Sequence, residues 1–486
     1  MATLHARPST DSGSAVTHVR MLIGGVWREG SNLRDVINPY SGEVVARAPE
    51  STLQDLDDAL SAATAAKAQA AASPGFERAA LLRRAGALLL ERADEIAQMM
   101  TRETGKALKD AKAEVVRSQD TILLSAEEAI RIAGEQVPLD GSQMGAGKFA
   151  FMLRFPVGVV AGITPFNAPF NLACHKVAPA IAAGNTIVLK APPQCPGVVT
   201  MLVELFADAG AMPGLVNLLH GNTVGPALVR DPRVDFITFT GSSRVGLDIK
   251  AASGTRRVTL ELGGNGITIV HADADLADAA PTCARNSMRL AGQSCISVQN
   301  VYVHDTLYES FVQQLVEHVR KLRLGDPMDA ATDVGTLIDE AAAKRVEHWV
   351  GEAASAGARV LTGGKRLGAQ FEPTVIVDVL PSMKVVREEI FGPVITVQRY
   401  TDLAAVLAAV SADQYGLQCG IFTKSLPVAF QALRGLRVGG VIINGSSTWR
   451  TDQLAYGGVK ASGMGREGPH YAIRDMTDER LVVFNL

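Results

Sequence analysis

From residue 157 onward the chain repeatedly sets short runs of β-branched and aliphatic residues, VGVVAGI, NTIVLK, LVNLLHG, VDFITFTG and RVTLELGG, between helical stretches such as HKVAPAIAAG and GVVTMLVELFADAG. A strand that is apolar along its whole length needs cover on both faces, and helices between successive strands supply it. The pattern therefore predicts βαβ units around a parallel sheet. A second alternation starts at GITIVHAD and passes through a helical stretch over 275–290, then NVYVHD, LYESFVQQLVEHVRKLRL, TVIVDV, GPVITVQRY, CGIFT and GGVIINGSS. It predicts a second α/β unit, joined to the first near Gly263-Gly264. Ahead of both, residues 76–133 carry apolar positions three and four apart with i,i+4 charges, the spacing of amphipathic helices.

A chain of 486 residues exceeds what one hydrophobic core organises, so two or three domains are expected. A net charge of −3 leaves no basic field for nucleic acid. The apolar runs fall far short of the roughly 20 residues that a spanning helix needs, which argues against a membrane segment. The first twenty residues, MATLHARPSTDSGSAVTHVR, lack the apolar stretch of a secretory signal. They read as a polar, loosely ordered leader, and the protein is expected in the cytoplasm. Five cysteines, odd in number and without CxxC spacing, argue against a disulfide framework and against a metal site.

Several segments carry chemistry. Cys295, in RLAGQSCISVQN, is by itself readable as a small buried hydrophobe. In DFITFTGSSRVGLDI a strand ends at Gly241, Ser242 is placed to cap, and a helix follows through Val245, which suits an anion. Lys190 ends the strand TIVLK, either as a solvated edge or at the strand end where nucleotides bind in parallel sheets. A G-x-G-x-x-G match at 463–468 follows the loop YGGVKAS instead of a strand; it reads as a turn-rich surface or interface segment. GITPFNAPFN puts Asn167 in a Pro-bounded loop, and LELGGNG puts Glu261 before the Gly-Gly pair.

Together with FTGSSRVG, EEIFGPV and YGGVKASGMGREG, these segments stand in the order and spacing of the NAD(P)-dependent aldehyde dehydrogenase superfamily, which the chain resembles from about Val26 to Leu486. The resemblance implies two Rossmann-like parallel-sheet domains and a small β oligomerisation arm. The dinucleotide-binding domain would take 21–133 and 157–262, the catalytic domain 263–455, and the arm 134–156 and 470–486. It also implies NAD or NADP as cofactor and a homodimer or homotetramer. In such enzymes Cys295 would be the nucleophile, Asn167 and the Cys295 amide the oxyanion hole, and Glu261 the base that activates water against a thioester. Lys190 would contact the adenosine ribose, Ser242 the pyrophosphate and Glu389 the nicotinamide ribose, with Phe391 beside it. The chemistry fits: hydride departure needs a tetrahedral adduct, hence a soft nucleophile and fixed hydrogen-bond donors, and a thioester then needs activated water.

Two positions depart from the pattern. Family members that prefer NAD carry a Glu three residues after the ribose-contacting lysine. Pro193 stands there, removing both an acceptor for the ribose 2′-hydroxyl and the repulsion that excludes a 2′-phosphate. The usual Trp before the oxyanion asparagine is Phe166. Branches with an R-x-D stretch like Arg450-Thr451-Asp452 act on small polar or anionic aldehydes. Arg450 is therefore either an anion clamp or half of an Arg450–Asp452 surface pair. His175 either faces the substrate or is a capping or core histidine. The expected activity is oxidation of a small polar or anionic aliphatic aldehyde to its acid. The rivals are a coenzyme A-acylating enzyme, against which Glu261 argues, a catalytically silent homologue and a simple cysteine hydrolase.

Overall fold

The computed structural model describes residues 16–486. Of the polar leader, residues 1–15 lie outside the described residues. Its remainder is not loose: Thr17–His18 pairs in parallel with Val44–Pro49, and Val19 is buried beside Val36 and Val45. Those apolar contacts tie the segment down.

All eleven β-branched runs form strands. An eight-stranded sheet has the spatial order Gly463–Met464, Arg257–Glu261, Phe236–Thr240, Val159–Ile163, Thr186–Lys190, Val216–Leu219, Met21–Ile23, Val26–Arg28. Its five central strands are parallel and its edges antiparallel. A seven-stranded sheet runs Arg359–Thr362, Thr374–Val377, Val394–Tyr400, Asn300–His304, Ile267–Val270, Gln418–Phe422, Gly440–Ile443. All of its pairs are parallel except that of Arg359–Thr362 with Thr374–Val377. The outer strands that sequence reading missed are antiparallel: Met21–Ile23, Val26–Arg28 and Gly463–Met464 span two or three residues, and Arg359–Thr362 has only two apolar residues between polar ones.

The G-x-G-x-x-G stretch is not a surface segment. Gly463–Met464 adds to the sheet edge beside Arg257–Glu261, and Ser462, Gly463 and Glu467 are buried. Gly463 has φ 131°, and a Cβ there would lie 1.9 Å from the Leu260 carbonyl oxygen. Glycine is thus required by close strand approach, with no link to a phosphate.

A third sheet joins Glu135–Val137, Lys148–Pro156 and the C-terminal Thr477–Asn485, the last two in antiparallel register over nine residues. Phe149, Leu153, Leu481, Val483 and Phe484 remain exposed on it. The helix Pro169–Ala183 is buried at every residue. Pro169 opens it, Gly184 closes it at φ 87°, and its first free amides, of Phe170 and Asn171, donate to the Glu114 carboxylate at 3.0 and 3.1 Å. Glu114 belongs to the helix Leu108–Ala129, so the amphipathic layer fixes where the buried helix begins. The short helix Pro469–Asp475, all but its first residue inside the segment expected as arm, packs Ile473 into the core beneath these helices, and Met476 just after it packs there too. Among the described residues no helix is long and apolar enough to cross a membrane.

Candidate active site

The eight-stranded sheet runs outward in both directions from Val159–Ile163, which makes the carboxyl ends of its strands a crevice for ligands. Asn167, Lys190, Gly241 and Glu261 all lie at those ends. Facing them are the segments that lead into strands of the second sheet: Gly264 before Ile267–Val270, Cys295 before Asn300–His304, and Glu389 and Phe391 before Val394–Tyr400.

Each facing segment is clamped. The Glu389 carboxylate accepts from the Gly264 N–H at 3.2 Å, and a Cβ at Gly263 would fall 2.4 Å from its oxygen, so a larger residue there would displace the carboxylate. Gln299 holds the same segment: its amide donates to the Val385 and Glu388 carbonyls and accepts from the Ile390 N–H. Gln293 ties the cysteine loop to the Leu290 carbonyl and the Ile338 N–H. Ahead of the cysteine, Leu290 and Ala291 take φ of 57° and 50°, a conformation that costs a non-glycine residue on the order of 1–2 kcal/mol and persists because the surroundings enforce it. Phe166 meets Phe391 edge to face at 5.9 Å, so the loop of Asn167 touches the segment of Glu389. Asn167 itself is half-buried.

Cys295 is the most accessible of the five thiols; the other four are fully buried. Its Sγ lies 3.2 Å from the Tyr456 hydroxyl. Burial pushes the thiol up to about 12, and it feels the charges of Glu389, Arg450 and Glu261. Glu261 is buried with neither carboxylate oxygen partnered. Desolvation first, and then the negative Glu467, hold its pKa well above the usual carboxylate range. Glu389 is raised to about 7 by burial.

Arg450 and Asp452 are not a surface pair. Their side chains are 7% and 1% exposed, and each bonds elsewhere. Asp452 accepts from Arg117 Nε at 2.9 Å and Thr121 Oγ1 at 2.8 Å, and contacts His175 Nε2 at 3.2 Å. Burial opposes its ionisation, but the hydrogen bond from His175 and the Arg117 charge hold it well below the carboxylate range. Arg450 donates to Glu467 at 3.0 Å and lies over the Tyr456 ring at 3.7 Å. Lys176 reaches Thr240 at 2.7 Å and Glu467 at 3.4 Å. Burial would raise Glu467, yet Lys176 and its other positive neighbours keep it down at about 2. His175 is buried in this network and its pKa is lowered by that burial. It caps no helix, since it lies within Pro169–Ala183; it is a core histidine whose ring meets Asp452 and Arg450.

Sequence reading missed Arg117, Thr121, Lys176, Tyr456 and Glu467. Lys176 adjoins His175, and Glu467 sits in a glycine-rich run that proved buried; a charge in each apolar setting was the available signal.

At the opposite wall the Lys190 amine, pushed down to about 8 by burial, has a single side-chain partner, Asn222 at 3.4 Å. Ser242 caps the ten-residue helix Ser243–Ala252 through the Val245 N–H. A sparsely paired buried cation, a helix N-terminus and the Glu389 carboxylate in one crevice suit the ribose and phosphate groups of a nicotinamide dinucleotide.

Residues 27–482 match the aldehyde dehydrogenase family. The chain is 44% identical over 468 residues to the 3-sulfolactaldehyde dehydrogenase of Priestia megaterium, covering 96% of this chain and 98% of that one. Among solved structures it is similar to aldehyde dehydrogenase 21 of Physcomitrella patens in complex with the reaction product succinate. That match has TM-score 0.95 and 40% identity over 97% of this chain and 99% of that one. The NADP-dependent glyceraldehyde-3-phosphate dehydrogenase of Bacillus halodurans, complexed with NADP, gives TM-score 0.94 and 35% identity over 96% of this chain and 99% of that one. The chain belongs to the aldehyde dehydrogenase family.

Proposed function

We propose that this protein oxidises a small aliphatic aldehyde bearing an anionic group to the carboxylic acid, with NAD or NADP as hydride acceptor. The reading rests on Glu261: a buried, unpartnered carboxylate, electrostatically coupled to the Cys295 thiol, has no structural reason to be there but serves as a base. Cys295 attacks the aldehyde carbon, and the Asn167 amide and the Cys295 N–H stabilise the oxyanion. The nicotinamide, when bound, accepts the hydride. Glu261 then takes a proton from water as the water attacks the thioester. Lys190, Ser242 and Glu389 hold ribose and phosphate, Gly241 and Val245 shape the turn, and Phe391 packs beside the nicotinamide ribose. Pro193 leaves room for a 2′-phosphate.

Charge supports the anionic substrate. The guanidinium groups of Arg117 and Arg450 stand beside Asp452 and Glu467 in this wall, and Lys176, its pKa lowered by burial, adds a further cationic group. Arg450 Nε–H is buried and unpartnered, a donor that suits a sulfonate, carboxylate or phosphate. The relatives' names specify a sulfonated aldehyde, a succinate product and a phosphorylated aldehyde. The test is a panel of neutral, carboxylate, phosphonate and sulfonate aldehydes with each cofactor, with and without coenzyme A. Equal kcat/KM for a neutral isostere refutes the anion reading, and coenzyme A-dependent turnover refutes the hydrolytic one.

The sheet near Glu261 is read as the cofactor domain, and the second sheet as the domain that presents the cysteine. Exposed Phe149, Leu481 and Phe484 on the third sheet support its role as an arm burying against a second copy, in a dimer or tetramer. Five unpaired thiols suit a reducing, cytoplasmic setting.

A further inference from the structure

We propose that Tyr456 is a catalytic residue of this oxidation: its phenolic O–H donates to the Cys295 sulfur and stabilises the thiolate, both as nucleophile and as the leaving group of the thioester. The inference rests on the reading of Cys295 as nucleophile given above.

The two atoms lie 3.2 Å apart. Tyr456 is 3% exposed and packs with Ile296, Leu417 and Leu454 around Cys295. In the resting thiol either atom can be the donor. Ionisation removes that ambiguity: a thiolate has no proton, so the bond then runs only from phenol to sulfur. The phenol keeps its proton, because burial first, and then the neighbouring sulfur charge, raise its pKa well above the usual value. A hydrogen bond to an ionised acceptor is roughly twice as strong as a neutral one.

Arg450 sharpens the donor. Its guanidinium carbon sits 3.7 Å from the centre of the Tyr456 ring and is held there by Glu467 at 3.0 Å. A cation over the π face draws electron density from the ring and makes its O–H more acidic. Arg450 therefore acts on the sulfur through Tyr456, as a positioning residue.

In the first half-reaction the thiol gives its proton to water and leaves the thiolate. The S–C bond forms as the carbonyl π pair moves to oxygen, and the loss of that carbon's hydride to the NAD or NADP of the proposed reaction is the two-electron oxidation that leaves a thioester. In the second half, water bonds to the thioester carbon and gives a proton to Glu261. The C–S bond breaks, its electron pair returns to sulfur, and the acid departs. Sulfur bonded to carbon is a poorer acceptor than thiolate, so the Tyr456 bond favours the state in which sulfur carries charge. It thus raises the thiolate population before attack and aids expulsion afterwards.

The test uses the full-length protein. Iodoacetamide alkylation of Cys295, followed by peptide mass spectrometry, is measured across about pH 6–10, below the raised thiol pKa, where the rate follows the thiolate fraction and so reports the shift in pKa. The four fully buried thiols report separately on unfolding. Tyr456→Phe keeps the ring and its stacking on Arg450 but removes the donor. It should move the apparent thiol pKa upward and slow alkylation at neutral pH about tenfold, with a matching fall in kcat. Replacing Tyr456 by 3-fluorotyrosine, a more acidic phenol of nearly the same shape, should move the pKa downward and covers the case in which the phenylalanine variant fails to fold. An alkylation profile unmoved by either change, or a moved profile with unchanged kcat, overturns the proposal. Cys295→Ser separates the two readings: a variant that still oxidises aldehydes refutes the nucleophile assignment, whatever the alkylation data say about Tyr456.

Discussion

Lys190, on the side assigned to the cofactor, keeps one side-chain partner at 3.4 Å, whereas Asp452, on the side assigned to the substrate, alone engages Arg117, Thr121 and His175. The contrast extends along both walls. Glu389 takes one backbone N–H and Ser242 caps its own helix, while Glu467 serves Lys176, Arg450 and Thr240. Groups left with few protein partners are free to exchange them for a ligand that comes and goes at every turnover. Groups saturated with partners keep their geometry and set the local charge. The dense wall is thus a frame, and the sparse wall a receptor.

The largest expected effect falls on the sulfur that both walls serve. Cys295→Ser should lower kcat/KM by on the order of a thousandfold or more, read in steady-state assays, because an alcohol without a matched base is a weak nucleophile. Glu261→Gln should lose on the order of a hundredfold in turnover. It should keep a single burst of reduced cofactor on rapid mixing, since only water activation is lost.

The frame itself is tested by stability. Asp452→Ala leaves the buried His175 and Thr121 without their acceptor and should cost about 2–3 kcal/mol in urea unfolding, the usual penalty for buried donors left unpaired. Lys190→Ala should cost less than about 1 kcal/mol, since it removes a single long hydrogen bond, yet weaken dinucleotide binding in a fluorescence titration. The reverse order of stability losses would break the comparison.

A smaller effect is a pH shift. Glu261 works only when ionised, and its raised pKa makes the acid limb of kcat fall at a higher pH than an ordinary carboxylate would give. Glu467→Gln removes a neighbouring negative charge, so the limb should move to lower pH. Smallest is Pro193→Glu, which restores an acceptor for the 2′-hydroxyl and repels a 2′-phosphate. A shift of roughly tenfold toward NAD in the ratio of dissociation constants is expected.

The strands and their order in the chain were legible because an apolar run bounded by turn residues is a local signal. Asn167, Lys190, Gly241 and Glu261 could all be placed at strand ends from that signal. Of the edge strands, Gly463–Met464 escaped it with only two residues, and Arg359–Thr362 because its Arg-Val-Leu-Thr holds just two apolar residues between polar ones. The helix Pro469–Asp475 escaped for another reason: its Ile473 is buried by a core assembled from distant helices, so nothing nearby marks it as distinct from the following strand.

The sequence by itself determined which segments become strands and helices, and therefore which side chains stand at the mouths of the sheets, because periodicity and strand length act over a few neighbouring residues. Only the tertiary structure decided partnership. Arg450 bonds Glu467 and not the nearby Asp452, which reaches back to Arg117. Tyr456 meets Cys295 across 161 positions of chain. Burial strips water from these groups and leaves each charge to the partner that the fold brings close, and that proximity is a property of packed elements, absent from any local pattern of residues.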